Sequence, residues 1–195
     1  MKRLTMVFAA ACLIGLAATA HAEKRWGFDL RTGGGPSQDP DQVAMGAGWG
    51  FEGTFQYRFM PHLGAYAGWD WVRFPTDDSF AGTDMDFEET GYVFGLRFEH
   101  PFSGELGTGP AWWVRAGGTY DHIEIENPDG DIVVDSGHGL GWEAGTGLAF
   151  ALGTNWSLTP GARYRSLSRD MTISGAVQKV DLSYVLFEVG LTRSF

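Results

Sequence analysis

The last seventeen residues, from Lys179 to Phe195, alternate strictly between two kinds of side chain, and this alternation restricts the fold most. Read backwards in steps of two, one face carries mostly large apolar residues: Phe195, Arg193, Leu191, Val189, Phe187 and Val185. The other face carries Ser194, Thr192, Gly190 and Glu188. A period of two is that of a β-strand with one apolar and one small or polar face. The pattern therefore predicts a strand that ends on an aromatic residue.

The N-terminus has the three parts of a secretory signal peptide. Lys2 and Arg3 precede an apolar run over residues 4–18, and the small-residue site Ala20-His21-Ala22 follows. We expect residues 1–22 to be cleaved, which leaves residues 23–195 as one domain. The only cysteine, Cys12, lies within this signal, and no Leu stands three residues before it to favour a lipoprotein signal. The mature chain is thus predicted to have no disulfide and no Cys metal ligand.

The charge and hydropathy of the mature chain limit its partners. Residues 23–195 hold 12 basic and 24 acidic residues, a formal net charge of −12, which argues against a nucleic-acid partner. After residue 22, no apolar stretch is long enough for a transmembrane helix. If the chain lies in a membrane, it must therefore form a closed barrel, because only helices and barrels satisfy every backbone group in lipid.

Alternation of the same kind recurs along the whole mature chain. It predicts eight strands, near residues 25–32, 45–59, 63–71, 89–99, 112–121, 140–150, 156–165 and 179–195. The connections between them alternate long and short, so we expect an all-β, eight-stranded antiparallel up-and-down barrel. Along the strands, the alternate positions that carry the large side chains include twenty aromatic residues. An eight-stranded interior cannot hold so many. This favours a transmembrane barrel with aromatics outside over a soluble lipocalin-like barrel with aromatics inside.

The opposite phase carries charges of both signs, and all of its bases are arginine. Its members are Asp29, Arg31, Glu52, Arg58, Asp70, Glu89, Arg97, Glu99, Arg115, Glu143, Arg163, Arg165 and Glu188. Seven acids face six arginines, and enclosed charges are costly unless they are paired. We therefore predict a closed, salt-bridged lumen; an ion pathway is the alternative interpretation of the same residues.

The terminal aromatic strand, the charged interior and the long outer loops together resemble the small outer-membrane β-barrels of the OmpA/OmpX type and the opacity-type surface antigens. Arg193 departs from the apolar preference of the closing strand. The resemblance implies a Gram-negative outer-membrane location with extracellular loops and periplasmic termini. It also implies contact with outer-membrane lipid and lipopolysaccharide, and recognition of Phe195 as an insertion signal by the barrel assembly machinery. We expect no cofactor, no metal requirement and a structural or surface-interaction role.

The outer loops are predicted to be acidic. Residues 32–44, 74–88 and 123–138 contain twelve acids and no Lys or Arg. Carboxylate oxygens are the ligands preferred by Ca²⁺ and Mg²⁺. Weak divalent-cation binding is therefore a hypothesis for Asp77, Asp78, Asp84, Asp86, Asp129, Asp131 and Asp135, and a solvated acidic surface is the alternative.

A catalytic site has weak support in the sequence. Ser136-Gly137-His138 with Glu143 is the only grouping with a nucleophile, a base and an orienting acid. It does not match the His-x-Ser pattern of lipid A deacylases, and Glu143 is expected to face the lumen. We therefore predict that the protein is not an enzyme; a lipid-modifying enzyme and a narrow channel remain alternative functions.

Overall fold

The computed structural model describes residues 24–38, 45–76, 78–79, 82–173 and 175–195, with the side chains of residues 78, 79, 82, 83 and 173 left out. The predicted signal peptide, residues 1–22, lies outside this part of the chain. Within it, eight long strands form: β1 (Trp26–Gly35), β2 (Gly48–Arg58), β3 (Leu63–Phe74), β4 (Asp86–Pro101), β5 (Ala111–Glu126), β6 (Gly139–Ala151), β7 (Trp156–Ile173) and β8 (Ala176–Ser194).

Each long strand pairs antiparallel with the next one in sequence, and β8 pairs with β1 to close the ring. The closing register runs from Gly27 opposite Ser194 to Gly34 opposite Phe187. Phe195 extends this seam, because its backbone N–H donates to the carbonyl of Trp26 at 2.9 Å. The predicted eight-stranded up-and-down barrel is confirmed.

The two ends of the barrel differ in their connections. The first long strand begins and the last one ends at the same end of the barrel, here called the terminal end, where residues 59–62, 102–110 and 152–155 join the strands. The opposite end, here called the loop end, carries residues 36–38, 45–47, 75–76, 78–79, 82–85 and 127–138. Short strands also lie at the loop end. Ser37–Gln38 pairs with β8, Ile132–Asp135 pairs with β5, and Asp78–Ser79 pairs with Gly82–Thr83.

Several strand boundaries predicted from the sequence are wrong at the loop end. No fourth long loop forms, since β7 and β8 remain paired as far as Ile173 and Ala176. The predicted acidic loops 74–88 and 123–138 are partly strand, because β4 begins at Asp86 and β5 continues to Glu126. In each case the strands stay paired beyond the point where their outward residues stop being apolar.

Outward aromatic residues form two girdles around the barrel. On four strands they stand eight positions apart: Trp49 and Tyr57, Trp112 and Tyr120, Trp142 and Phe150, Trp156 and Tyr164. The spanned nine residues match the roughly 9–11 that a tilted β-strand needs to cross the hydrocarbon layer. Between the girdles the outer surface is apolar, with exposed side chains such as Phe94, Leu96 and Val189. The aromatic phase therefore faces the membrane, as predicted.

Beyond the girdle nearest the loop end, the polarity of the two faces reverses. The interior there is a fully buried apolar cluster of residues Val72, Phe74, Phe87, Ile123, Ile125, Leu167, Met171, Val180, Leu182, Tyr184 and Leu186. The outer face carries polar residues such as Glu124, Asp170 and Asp181. Outside the membrane a strand faces water, so it buries its apolar side chains inward, as in a soluble barrel. The apolar-outward alternation of the strands does not predict this cluster.

None of the described residues forms a helix that is long and apolar enough to span a membrane.

The indole of Trp113 fills the lumen near the terminal end, and two glycines make room for it. The ring is fully buried and its Nε1–H donates to the carbonyl of Leu148 at 3.0 Å. A Cβ added at Gly161 would lie 2.5 Å from Cζ2 of Trp113 and 2.6 Å from the carbonyl oxygen of Thr146. Gly147, which pairs with Gly161, also lies against this ring.

We therefore expect Gly161→Ala to lower the free energy of unfolding by about 1–3 kcal/mol, the usual cost of overfilling a packed interior. Urea titration of the refolded chain in detergent micelles, followed by tryptophan fluorescence, measures this change. Gly109→Ala is the matched control, because nothing lies within 4 Å of an added Cβ there. Equal stability of the two variants would contradict the packing described for Trp113.

Candidate functional site

Glu52 lies at the centre of the charged layer inside the barrel and is held by two arginines. Arg115 forms a bidentate pair with it, at 2.6 Å to Oε1 and 2.8 Å to Oε2. Nη1 of Arg163 donates to Oε2 at 2.6 Å. All three side chains are buried. Planar guanidinium groups suit such crowded carboxylate contacts because their donors lie in a fixed fork.

Glu143 is a second carboxylate that joins several strands. It accepts a hydrogen bond from the hydroxyl of Tyr66 at 2.7 Å and one from Nη2 of Arg165 at 2.8 Å. Arg165 also pairs with Glu89 at 2.7 Å and forms a close ion pair with Asp70. These contacts connect β3, β4, β6 and β7 across the lumen.

Asp29 organises the charged layer toward the terminal end. Its Oδ2 accepts hydrogen bonds from Arg31 at 2.7 Å and from Thr192 at 2.9 Å, and lies 3.6 Å from Nη1 of Arg97. The ring of Trp113 lies 5.2 Å from the guanidinium carbon of Arg31 and 4.7 Å from that of Arg97. The aromatic face thus adds cation–π attraction to the ion pairs.

Twelve of the thirteen predicted lumen residues form ion pairs within 4 Å. Glu188 is among them, at 2.7 Å from Arg163, and so is Glu99, at 2.9 Å from Arg97. The exception is Arg58, the last residue of β2, which is half-buried at the opening of the terminal end. No carboxylate of the described residues lies within ion-pairing distance of Arg58. Water reaches the end of the barrel, so a charge there does not require a partner.

Sequence reasoning missed one buried pair, Asp121 with Arg169. Arg169 forms a close ion pair with the carboxylate of Asp121 and donates to the carbonyls of Asp121 at 3.0 Å and Gly139 at 2.5 Å. Arg169 belongs to a segment predicted to be a loop. It lies four residues after Arg165 and six after Arg163, and these even separations are the signal that identifies it as inward-facing.

The charged layer and the apolar cluster together fill the interior. With Arg169 and Asp121 included, six buried arginines face seven buried carboxylates, and each of these side chains is at most 7% exposed. Above them Phe74 and Tyr184 pack with ring centroids 5.0 Å apart. The lumen is therefore occupied by side chains in both the charged and the apolar layer.

A second charged group lies on the outer face of the loop end, around Arg73. This side chain pairs with Asp86 at 2.6 Å, Glu88 at 2.9 Å and Glu126 at 3.4 Å. The hydrogen bond that Arg73 donates to Asp86 raises the pKa of Arg73. Partial burial, and then the neighbouring charge of Glu88, raises the pKa of Glu126. Three carboxylates share one base, so this surface retains a net negative charge.

Of the acids proposed for divalent-cation binding, those whose side chains the structure describes do not converge on one point. Asp84 is exposed, whereas Asp86 is taken up by Arg73. The backbone N–H groups of Asp129 and Asp131 donate to Oδ1 of Asn127, at 3.0 and 2.8 Å, which shapes an exposed turn. Asp77 and the side chain of Asp78 lie outside the described part of the chain.

Among the described members of that set, Asp135 is the one that belongs to a group with metal-ligand spacing. Its Oδ1 lies 3.1 Å from Nδ1 of His122, and Oε1 of Glu124 lies 3.7 Å from the same nitrogen. Among the described residues, these three side chains form the group with metal-ligand spacing. The sequence does not predict that His122 and Glu124 meet Asp135, because a turn separates them along the chain.

The structure does not assemble the Ser136, His138 and Glu143 grouping. The hydroxyl of Ser136 donates to the carbonyl of Gly137 at 2.9 Å and accepts from the N–H of Ile123 at 2.8 Å. Glu143 is buried in the lumen and His138 is exposed on the outside. The barrel wall therefore separates the acid from the other two residues.

Comparison with known proteins gives a family and a set of similar folds. Residues 8–195 match the family described as "Outer membrane protein beta-barrel domain". No curated protein matches the sequence. Neisserial surface protein A is 14% identical, with a TM-score of 0.62, over 90% of this chain and 100% of that one.

Two further solved structures share the architecture. OprG from Pseudomonas aeruginosa is 15% identical, with a TM-score of 0.56, over 89% of this chain and 98% of that one. Ail, the attachment invasion locus protein of Yersinia pestis, solved with the heparin analogue sucrose octasulfate, is 15% identical with a TM-score of 0.50, over 88% and 99%. At these identities the similarity shows the fold alone.

We expect Glu52→Gln to destabilise the barrel by about 3–5 kcal/mol, because it leaves buried arginines without their shared counter-charge. Urea unfolding of the refolded variant in micelles, compared with the unsubstituted chain, measures the loss. Glu105→Gln is the control, since Glu105 is exposed in a connection at the terminal end. If both substitutions cost the same small amount, the ion network does not stabilise the barrel.

Proposed function

The chain belongs to the outer membrane protein beta-barrel domain family. On that premise we propose that it acts by surface interaction. It is a closed barrel that presents outside the cell the acidic surface beyond the outer girdle at its loop end, here called the rim. The observation that carries this proposal is the filled interior. Charged side chains and the indole of Trp113 occupy the middle of the lumen, and the apolar cluster occupies it at the loop end. A barrel filled in this way offers its outer surface and its rim, rather than its lumen, to other molecules.

The proposed orientation places the loop end outside and both termini in the periplasm. Barrels of this class have short periplasmic turns and longer extracellular connections, and the terminal end carries the short connections 59–62 and 152–155. In this orientation Phe195 is available to the assembly machinery at the periplasmic side. The rim then lies within and above the lipopolysaccharide leaflet.

The charge of the rim indicates what kind of partner it suits. The described residues beyond the outer girdle include ten acids, namely Asp84, Asp86, Glu88, Glu124, Glu126, Asp129, Asp131, Asp135, Asp170 and Asp181. On the same surface the bases are Arg73 and Lys179. Such a field attracts cations and repels anions.

We therefore expect cationic partners: divalent ions that bridge the rim to lipopolysaccharide phosphates, or basic segments of another protein. The sucrose octasulfate bound in the Ail structure is negatively charged, so it suits a positively charged surface. A polyanion of that kind is not the expected ligand of this rim.

The alternative functions have less support. A narrow channel would need an open path through the buried arginine–carboxylate layer and the apolar cluster. A lipid-modifying enzyme would need Ser136 and His138 to act without Glu143, which lies on the other side of the barrel wall. Surface interaction requires neither change.

In planar bilayers we expect the refolded mature chain to give no discrete conductance steps, because side chains fill its lumen. The measurement is single-molecule current recording over a range of voltages. A heat-modifiable electrophoretic shift of the same preparation verifies that the barrel is folded. Regular steps that change when Arg163 is substituted by Met would support the channel alternative instead.

We further expect the refolded chain in lipid nanodiscs to bind an oligolysine peptide and not heparin. The affinity should fall as salt is raised, since the attraction acts between exposed charges. Neutralising Asp129, Asp131, Asp170 and Asp181 to Asn should weaken peptide binding, whereas Glu105→Gln at the terminal end should leave it unchanged. Fluorescence anisotropy of the labelled peptide measures both. Stronger binding of heparin than of oligolysine would contradict the proposed role of the rim.

A further inference from the structure

We propose that His122, Glu124 and Asp135 form a binding site for Zn²⁺ on the outer face of the barrel, just beyond the girdle residue Tyr120. This proposal does not depend on the surface role proposed above, and it differs from a carboxylate site for Ca²⁺ or Mg²⁺. It rests on the ligand types, on their separation and on an irregularity in the strand that brings them together.

The three potential ligand atoms are already close enough to share one ion. Nδ1 of His122 lies 3.1 Å from Oδ1 of Asp135 and 3.7 Å from Oε1 of Glu124, and all three atoms lie within 4.8 Å of one another. Ligands at about 2.0–2.2 Å from a tetrahedral zinc ion are separated by little more than 3 Å. Small side-chain rotations are therefore enough to complete the coordination.

The barrel wall fixes two of the three ligands. His122 and Glu124 are two positions apart on β5, so both face outward, while Ile123 between them is buried in the apolar cluster. Both side chains are only 15% exposed. The ligands on β5 are thus held by a paired strand rather than by a flexible tip.

A bulge brings the third ligand to the same face. Asp121 pairs with Gly139 and Glu124 pairs with Asp135, so β5 advances three residues while the opposite chain advances four. Gly137, with a φ of 67°, lies within this extra length. In a regular strand, Asp135 and His138 would point to opposite sides because they are three positions apart. The additional residue turns both of them outward, and such bulges often re-aim side chains at functional sites.

Two aromatic neighbours hold the imidazole of His122 in place. The ring of His138 stacks on it with centroids 4.4 Å apart and an interplanar angle of 15°. Tyr120 in turn lies 5.2 Å from the ring of His138. This packing restricts the rotation of His122 before any ion arrives, which lowers the entropy lost on binding.

The ligand chemistry selects a borderline transition metal over the hard alkaline-earth ions. Imidazole nitrogen with carboxylate oxygen is a common zinc donor set, whereas Ca²⁺ and Mg²⁺ take oxygen ligands. The charge of a zinc ion would balance the two carboxylates of Glu124 and Asp135. Three protein ligands leave a fourth position for water or for an external ligand.

The test uses the full mature chain, refolded in detergent micelles and freed of chelating tags. Isothermal titration calorimetry with ZnCl₂ should show one saturable site per chain, and CaCl₂ in excess should not compete for it. Co²⁺ in place of zinc should give the strong visible absorption of a four-coordinate site. His122→Ala and Glu124→Gln should each weaken zinc binding by more than about tenfold, since even residues that only support a ligand contribute that much.

The chain supplies its own control in a second stacked histidine pair at the terminal end. His62 and His100 lie 4.8 Å apart, and their Nδ1 atoms face the carbonyl oxygens of Glu99 and Pro101. The double variant His62→Ala/His100→Ala should bind zinc as well as the unsubstituted chain. The heat-modifiable band shift checks that every variant is folded. The proposal is overturned if zinc does not bind saturably, if Ca²⁺ displaces it, or if only the terminal-end variant loses binding.

Discussion

Inside a bilayer no water is available to backbone N–H and C=O groups, and the whole architecture depends on that constraint. Eight strands satisfy it only as a closed ring, so β1 must pair with β8 along a continuous seam. A ring of eight is narrow, and its interior must be packed with side chains. Charges enclosed there need partners, which explains why Glu52 and Glu143 are each shared among several arginines. The lumen network is thus a consequence of closure.

The same strands meet two solvents, and their side-chain pattern changes where the solvent changes. Between the girdles, Phe94 and Leu96 face lipid while Arg97 faces the lumen. On β5 beyond Tyr120, the outward face carries His122 and Glu124, while Ile123 and Ile125 are buried inside. One chain therefore combines a membrane barrel with the apolar core of a soluble one. The apolar cluster fills the barrel interior at the loop end, and the ion network fills it within the membrane.

The sequence predicted the ring, the outward aromatic phase and most of the lumen charges, because alternation with period two carries all three within the membrane. It failed where the polarity reverses. Leu167, Arg169 and Met171 are inward residues of β7, but the outward residues between them are polar, so the sequence pattern predicts a loop there. Arg58 was assigned to the network by phase alone, although phase does not show how near a residue lies to open water. The meeting of His122 with Asp135 depends on a one-residue bulge, which hydrophobic periodicity cannot reveal.

The long β7–β8 hairpin determines how the surface of this protein can evolve and bind. From Tyr164 to Ile173 it rises nine residues beyond the girdle, about 30 Å along the strand at the usual rise. Backbone pairing as far as Ile173 and Ala176, together with the buried cluster, holds the backbone of this extension in place. Binding there loses little conformational entropy, unlike binding by a flexible loop. Exposed residues along the extension, such as Asp170 and Asp181, can be substituted without altering the packed layers on which folding depends.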